Sequence, residues 1–171
     1  MKPIKYFLFT LFLSLVGIPK IATPEEFKFP DIFISDKEMY CLTESLYFEA
    51  RNQVDGGVLA VAKVILNRRD SKRFPNSICG VINQQLKKGI WQFSYKGFGK
   101  PKKLIVNDKK SWRRMQKIAR MSLLIHASGW NFLDNAQYYY NPKLANPSWS
   151  KSKKLKYVGT YGDHRFLTRV K

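Results

Sequence analysis

Acidic residues are scarce in this chain of 171 residues, which has 12 Asp plus Glu against 31 Lys plus Arg and a formal net charge of +19. Cysteine and histidine are scarcer still, with two of each. Two cysteines exclude a disulfide-dense scaffold and a four-cysteine zinc site, and a mixed zinc site would need all four residues. Because neither pair has zinc-finger spacing, we predict no metal site and no other cofactor.

Long apolar stretches are also missing. None reaches the roughly 18 to 20 residues that a bilayer-spanning helix needs, which excludes a polytopic membrane protein. Hydrophobic residues nevertheless make up 44% of the chain and aromatic residues 15%, which excludes global disorder in spite of the charge. The length fits one domain with its own core, and we expect a monomer.

The first 22 residues differ from the rest of the chain. Two lysines precede an apolar stretch over residues 6–18, and this order is typical of a secretory signal. Because Lys20 stands where a small residue is preferred before cleavage, an uncleaved signal anchor is an alternative, and a buried core helix is another. We predict a signal peptide or anchor over 1–22, a linker over 23–35 and a folded domain over 36–171.

Export changes what the charge and the cysteines mean. A cytosolic +19 would indicate nucleic acid, whereas an exported +19 favours anionic envelope polymers or lipid headgroups. The basic runs cover Lys96–Arg114 and Lys143–Lys156, and a merely solvated surface is the alternative for both. In an oxidising compartment Cys41 and Cys79 can pair, and two buried thiols are the alternative.

Helical periodicity predicts three helices. They run over residues 36–51, from after residue 57 to about 68, and over 111–127. Shorter elements are predicted elsewhere: a short helix or extended piece over 78–84, a loop with a short hairpin over 86–108, turns at two Asn-Pro steps over 138–149, and one or two strands over 157–170. The predicted fold class is therefore mainly α with a small β element.

Glu49 falls on the side of the first helix where the core should be. At about 100° per residue, with Leu42 at zero, Leu46 falls at roughly 40° and Glu49 at roughly −20°. Burial there would raise the pKa of the carboxyl group and keep its proton near neutral pH, as a general acid requires. An ion pair with Arg51 or Arg68 is the alternative.

Six sequence blocks occur in a recognisable order. They are CLTESLYFEAR at 41–51, GVLAVAKVILNR at 57–68, FPNSICGVI at 74–82, QFS at 92–94, YYNP at 139–142 with PSW at 147–149, and GDHRF at 162–166. Together they resemble the SleB-like cell-wall hydrolase family, which is known from spore-cortex-lytic enzymes and from phage and bacterial homologues. The resemblance covers nearly everything from residue 38 to residue 166.

The resemblance implies a lysozyme-like single catalytic domain over residues 36–171 that acts on the glycan strands of peptidoglycan. The family's general acid is the Glu of its Tyr-x-Glu-Ala-Arg motif, which falls on Glu49, the residue that the helical wheel also selects. The matching positions imply substrate binding by Gln92, Ser94, Tyr139 and Asn141. Aromatic rings near them suit sugar faces, and simple packing is the alternative.

Cleavage between N-acetylmuramic acid and N-acetylglucosamine needs a proton for the leaving oxygen. The resemblance suggests lytic transglycosylation, in which one Glu acts as acid and then as base while the muramic acid C6 hydroxyl attacks. A muramidase-type hydrolase with Asp55 or Glu44 as second carboxylate is an alternative, although the wheel places Glu44, at roughly 200°, toward solvent or a cleft rim. A non-catalytic basic module that binds the cell wall or nucleic acid is the other alternative.

The chain departs from the family pattern at two places. Asn52-Gln53 stands where many members have Gly-Glu, and Trp91 stands where some exported members have Cys. The second departure leaves Cys41 and Cys79 to pair with each other or to stay free. Three further residues are expected to have structural roles. They are Trp149 in the core, His126, and a hydrogen-bonded His164.

Overall fold

Residues 33–97 and 107–170 are described by a computed structural model, and they contain four α-helices, two short 3₁₀ helices and five strands. The predicted signal segment at 1–22 and the linker up to residue 32 lie outside the described residues, as does the stretch 98–106 of the basic loop. Within the described ranges, no helix combines the length and the apolarity that crossing a bilayer requires.

The helices are α1 (Asp36–Ala50), α2 (Asp55–Arg69), α3 (Ile78–Ile82) and α4 (Lys109–Ala127). The 3₁₀ helices are Ser94–Gly97 and Ser148–Lys151. The strands are β1 (Gln85–Lys87), β2 (Ile90–Trp91), β3 (Tyr138–Tyr140), β4 (Leu155–Tyr161) and β5 (His164–Arg169). β1 and β2 form a hairpin, and the other three strands form an antiparallel sheet in the order β3-β5-β4. The predicted fold class, mainly α with a small β element, is confirmed.

The helices enclose the core. Leu42 and Leu46 of α1, Ile65 of α2 and Met115 of α4 are fully buried. Helix α2 is buried on nearly all sides because α1, α3 and α4 pack around it and the sheet adds further contacts. This central position explains why α2 is rich in small and β-branched apolar residues and has no continuous polar face.

One side chain of α1 holds α3 in place. Glu38 accepts hydrogen bonds from the backbone N–H groups of Ile78, at 2.5 Å, and Cys79, at 3.3 Å, so it caps the start of α3. Next to this cap, Cys41 and Cys79 form a disulfide with their Cα atoms 5.3 Å apart. Of the two alternatives left open for the cysteines, the structure contains the pair. Closing a loop of 38 residues stabilises the fold by about 4 kcal/mol in the chain-entropy account.

The sheet differs from its prediction at one segment. Residues 138–140, predicted as part of a turn region, form strand β3, in which Tyr139 pairs with Phe166 of β5. The pairing joins segments far apart in sequence, so no local sequence pattern predicts it. The hairpin within 86–108, the helical form of 78–84 and the two-strand form of the C-terminal segment are confirmed.

Candidate active site

Glu49 lies in the last turn of α1 and is partly buried. Its Oε2 accepts a hydrogen bond of 3.1 Å from the hydroxyl of Tyr139. Burial raises the pKa of Glu49, while the Tyr139 hydrogen bond and the charge of Arg68 act in the opposite direction with smaller effect. The carboxyl group therefore holds its proton to a higher pH than an ordinary Glu.

Glu49 takes part in none of the ion pairs among the described residues. Arg51 donates instead to the carbonyl oxygen of Tyr47, at 3.3 Å, and its guanidinium lies 4.8 Å from the centre of that ring. Arg68 donates through Nε to the carbonyl oxygen of Gln137, at 2.7 Å. The alternative that Glu49 is neutralised by either arginine is therefore wrong for the described structure.

Arg68 is a buried cation near the end of α2, only 2% exposed. Its guanidinium lies between aromatic rings, 5.3 Å from the centre of Phe74 and 5.7 Å from that of Phe93. Its Nη1 is buried and finds no hydrogen-bond partner within the described part of the chain. The guanidinium thus places positive charge near Glu49 without closing an ion pair with it. Sequence analysis named Arg68 only as an ion-pair partner and missed this arrangement.

Tyr139 holds its hydroxyl proton firmly. Burial, followed by the nearby charge of Glu49, raises the pKa of Tyr139 well above its usual value. Its ring packs edge-on against His164, with centroids 5.3 Å apart. His164 is buried, but its Nδ1 has no hydrogen-bond partner among the residues that the structure describes. The prediction of a hydrogen-bonded His164 is therefore wrong for this nitrogen, and the ring contributes packing that orients Tyr139.

A cavity of about 340 Å³ opens on the side of Tyr139. Gln92 and Tyr139, two of the four predicted substrate-binding residues, line it. Trp149 lines it too, is 41% exposed, and lies about 6 Å from the ring of Tyr138. The prediction that Trp149 belongs to the core is wrong, because the turns at the two Asn-Pro steps carry it onto a surface 3₁₀ helix. Those turns were the signal that could have placed it.

The other two predicted substrate-binding residues do not line this cavity. Ser94 is exposed at the start of the 3₁₀ helix that follows the hairpin. The side-chain oxygen of Asn141 accepts a hydrogen bond of 2.9 Å from the backbone N–H of Lys143 and so holds a turn. Tyr139 thus connects Glu49, which its hydroxyl contacts, to the cavity that it lines with Gln92. Glu49 itself is not among the lining residues, and Ser94 and Asn141 lie in the flanking segments.

Both candidates for a second carboxylate are engaged by cations. Glu44 is buried and accepts hydrogen bonds from Lys96 Nζ, at 2.5 Å, and from the hydroxyl of Tyr95, at 3.2 Å. Its predicted place at solvent or a cleft rim is wrong, because the 3₁₀ helix Ser94–Gly97 covers this face of α1. Asp55 is largely exposed and pairs with Arg114 of α4 at 2.5 Å.

Gln53 gives a physical reason for one departure from the family pattern. Its amide nitrogen donates to the Asp163 carboxylate, at 3.2 Å, and its amide oxygen accepts from the Asp163 backbone N–H, at 2.9 Å. An acid at position 53 could not donate and would repel Asp163. Gly162 has a φ of +57°, and a Cβ there would collide with the Gln53 amide oxygen. The amide and the turn are therefore matched to each other.

A second polar group lies between α2 and α4. Lys63 Nζ lies 3.1 Å from His126 Nδ1, and His126 Nε2 lies 2.5 Å from the Asp70 carboxylate. His126 therefore links α4 to α2 through a chain of polar side chains. Burial is the main cause of a lowered pKa for His126 and also for Lys63.

Comparison with known proteins gives a consistent picture. A family model described as Cell Wall Hydrolase matches residues 52–167, so the match begins just after Glu49. The chain is 30% identical over 146 residues to a spore cortex-lytic enzyme of Oceanobacillus iheyensis and 33% identical over 115 residues to that of Bacillus subtilis. These alignments cover 85% and 67% of this chain, but only 45% and 33% of the relatives. The chain therefore spans less than half the length of either relative.

Two solved structures share the fold. One is the catalytic domain of the germination-specific lytic transglycosylase SleB from Bacillus anthracis, with a TM-score of 0.62 and 26% identity, over 81% of this chain and 100% of that one. The other is the catalytic domain of the Bacillus cereus SleB protein, with a TM-score of 0.58 and 26% identity, over 81% of this chain and 94% of that one. The predicted lysozyme-like, mainly helical catalytic fold agrees with both.

Proposed function

This chain belongs to the cell wall hydrolase family, and on that premise we propose that it cleaves peptidoglycan glycan strands between N-acetylmuramic acid and N-acetylglucosamine with Glu49 as general acid. The setting of Glu49 carries the proposal: its carboxyl group is partly buried, has a raised pKa, accepts a hydrogen bond from Tyr139 and takes part in no ion pair among the described residues. We propose residues 36–171 as the catalytic domain.

The same carboxyl group serves twice in the proposed reaction. Glu49 first gives its proton to the glycosidic oxygen as the bond to the muramic acid C1 breaks. The resulting carboxylate is stabilised by the Tyr139 hydroxyl and by the charge of Arg68. It then takes the proton of the C6 hydroxyl as that oxygen attacks C1, which yields a 1,6-anhydro sugar and consumes no water.

The engagement of the other two carboxylates supports this route over hydrolysis. Glu44 is paired with Lys96 and Asp55 with Arg114, so each carboxylate would have to leave its cation before acting as a free base or nucleophile. Both solved relatives are SleB catalytic domains, and one is named a lytic transglycosylase. For substrate binding we propose Gln92 and Tyr139 at the cavity, with Ser94 and Asn141 on its flanks.

The test is the substitution Glu49→Gln, which keeps the shape of the side chain and removes its acidic proton. We expect release of muropeptides from purified sacculi to fall by about a thousandfold or more, with an unchanged circular dichroism spectrum. Asp36→Asn, an exposed acid at the start of the same helix, is the matched control and should retain full activity. Full release by Glu49→Gln would refute the proposal.

The products decide between the two routes. Mass spectrometry of products released by the parent chain should show anhydro ends, which are one water lighter than reducing ends. Reducing ends would establish the hydrolase alternative. No release by the parent chain, together with tight DNA binding at about 150 mM salt, where exposed charges are screened beyond about 8 Å, would favour the nucleic-acid-binding module.

We propose that the protein is exported and that its charge draws it to an anionic envelope surface. Helix α4 supports the attraction to an anionic surface, because it contains no acidic residue and exposes a stripe of cations that includes Arg113, Lys117 and Arg120. Binding to sacculi should weaken as salt rises, since exposed charges are screened. A pelleting assay between about 50 and 500 mM salt, spanning Debye lengths of roughly 14 to 4 Å, checks this, and salt-independent binding would contradict it.

A further inference from the structure

Among the described residues, the walls of the cavity beside Tyr139 carry three cations, Arg68, Lys154 and Arg169, and no acidic residue. We propose that it is an anion-binding subsite that takes a carboxylate of the peptide stem attached to muramic acid. This inference rests on the proposed function, because it assigns to the strand cleaved at Glu49 a charged group that must be recognised nearby.

The strand pairing brings the backbones of the two outer cations together. Leu155 pairs with Arg169 across β4 and β5, and the backbone N–H of Val170 donates to the Lys154 carbonyl oxygen at 2.9 Å. Lys154 and Arg169 therefore share one end of the sheet. Both are exposed, and neither belongs to an ion pair among the described residues. With no ion-pair partner among the described residues, both charges are available to a ligand anion.

Arg68 adds a third cation to the cavity, and this one is buried. Its Nε is used by the Gln137 carbonyl oxygen, but its Nη1 lacks a protein partner in the described part of the chain. Because that nitrogen is itself enclosed, Arg68 acts on a ligand in the cavity through its positive charge. The exposed pair and the buried guanidinium together provide more positive charge than a neutral sugar needs.

Aromatic rings at the same cavity suit the sugar part of such a ligand. Trp149 is 41% exposed and lies beside Tyr138, whose ring centre is 6.0 Å from the Arg68 guanidinium. Rings offer rigid contact to sugar faces, whereas the cations bind acid groups. A muramic acid residue with its peptide combines both chemistries in one ligand.

The experiment compares two substrates and four chains. The substrates are native sacculi and sacculi whose peptide carboxyls have been converted to amides with carbodiimide and ammonium. The chains are the parent, Arg169→Gln, the double variant Lys154→Gln/Arg169→Gln, and Lys153→Gln. Lys153 is exposed next to Lys154 but does not line the cavity, so its variant controls for the loss of one positive charge.

We expect amidation to lower kcat/KM of the parent about tenfold, mainly through KM. The double variant should lose about tenfold on native sacculi and cleave both substrates equally, Arg169→Gln should fall between, and Lys153→Gln should discriminate like the parent. Equal cleavage of both substrates by the parent would overturn the inference. If the double variant also lost activity in that case, the cations would bind a phosphate, because amidation leaves phosphodiesters intact. Retained discrimination in the double variant would also overturn it. No release from either substrate would overturn the proposed function itself.

Discussion

Glu44 and Glu49 lie on the same helix, five residues apart, in opposite electrostatic settings. Glu44 is the more buried of the two and is met by the Lys96 ammonium and the Tyr95 hydroxyl. Glu49 is met by the Tyr139 hydroxyl and lies near the Arg68 guanidinium without pairing with it. The depth of burial alone therefore does not distinguish the carboxyl that we propose as the general acid from the one held in an ion pair. The contact with a cation does distinguish them, because Glu44 has one and Glu49 has none among the described residues.

The largest expected effect that tests the comparison of Glu44 with Glu49 is a loss of stability. Glu44→Gln leaves Lys96 partly buried without a counter-charge, and we expect a loss of about 2 to 4 kcal/mol in the free energy of unfolding. Muropeptide release at a temperature where the variant is folded should be retained. Urea denaturation measures the first quantity, and an unchanged midpoint would mean that the ion pair contributes little.

Glu49→Gln should change stability in the other direction. Because the pKa of Glu49 is raised in the folded chain, the unfolded chain releases this proton first, above its ordinary value of about 4.3. Folding is therefore less favourable as pH rises from there, and removing the group removes that cost. At neutral pH the variant should unfold at a urea concentration no lower than the parent, and at pH 4 the two should converge. A clearly less stable variant would contradict this account.

The next effect concerns the pH profile. Tyr139→Phe removes the hydrogen bond that lowers the pKa of Glu49 and leaves the partly buried ring in place. The pKa of Glu49 should rise, so the limb on which activity falls with increasing pH should move to higher pH. Activity at the optimum should drop about three- to tenfold, since the carboxylate formed in the reaction loses a donor.

A matched control exists for this variant. Tyr157→Phe removes a hydroxyl from an exposed tyrosine that contacts Thr160 and should change neither limb. A pH profile of kcat/KM on solubilised glycan strands makes the comparison. An unmoved limb in Tyr139→Phe would mean that this tyrosine does not set the proton affinity of Glu49.

The smallest effect concerns the segment that follows Glu49. Gln53→Glu replaces a donor to Asp163 by a second carboxylate, and we expect Tm to fall by a few degrees at neutral pH. Protonation relieves the repulsion, so the deficit should shrink toward pH 4. Differential scanning calorimetry at the two pH values measures both. Asn52→Asp is the control, because Asn52 is exposed and adjacent, and it should show a smaller deficit.

Local pattern was sufficient for much of this molecule. The three long helices follow from apolar periodicity, and their bounds differ from those predicted by about three residues or fewer. The burial of Leu42 and Leu46 and the partial burial of Glu49 follow from the same helical geometry, since residues three and four apart share a face. These features depend on neighbours within a few turns of the chain, which a sequence displays directly.

The helical wheel did not predict what covers the opposite face of α1. It treats one face as buried and the other as solvent, whereas the 3₁₀ helix Ser94–Gly97 covers the second face and brings Lys96 to Glu44. The exposure of Trp149 was missed for a related reason. This tryptophan was assigned to the core without considering the turns at the neighbouring Asn-Pro steps, which carry it to the surface.

By itself, the sequence determined the helical frame, the side of α1 that Glu49 occupies and the family to which the chain belongs. Only the tertiary structure decided that Glu44 has a cation in contact while the pKa of Glu49 is raised, that the two cysteines pair, and which cations line a cavity. The physical reason is that a helix face is set by local spacing, whereas proton affinity, disulfide bonding and charge pairing depend on atoms brought within a few ångströms by distant parts of the chain.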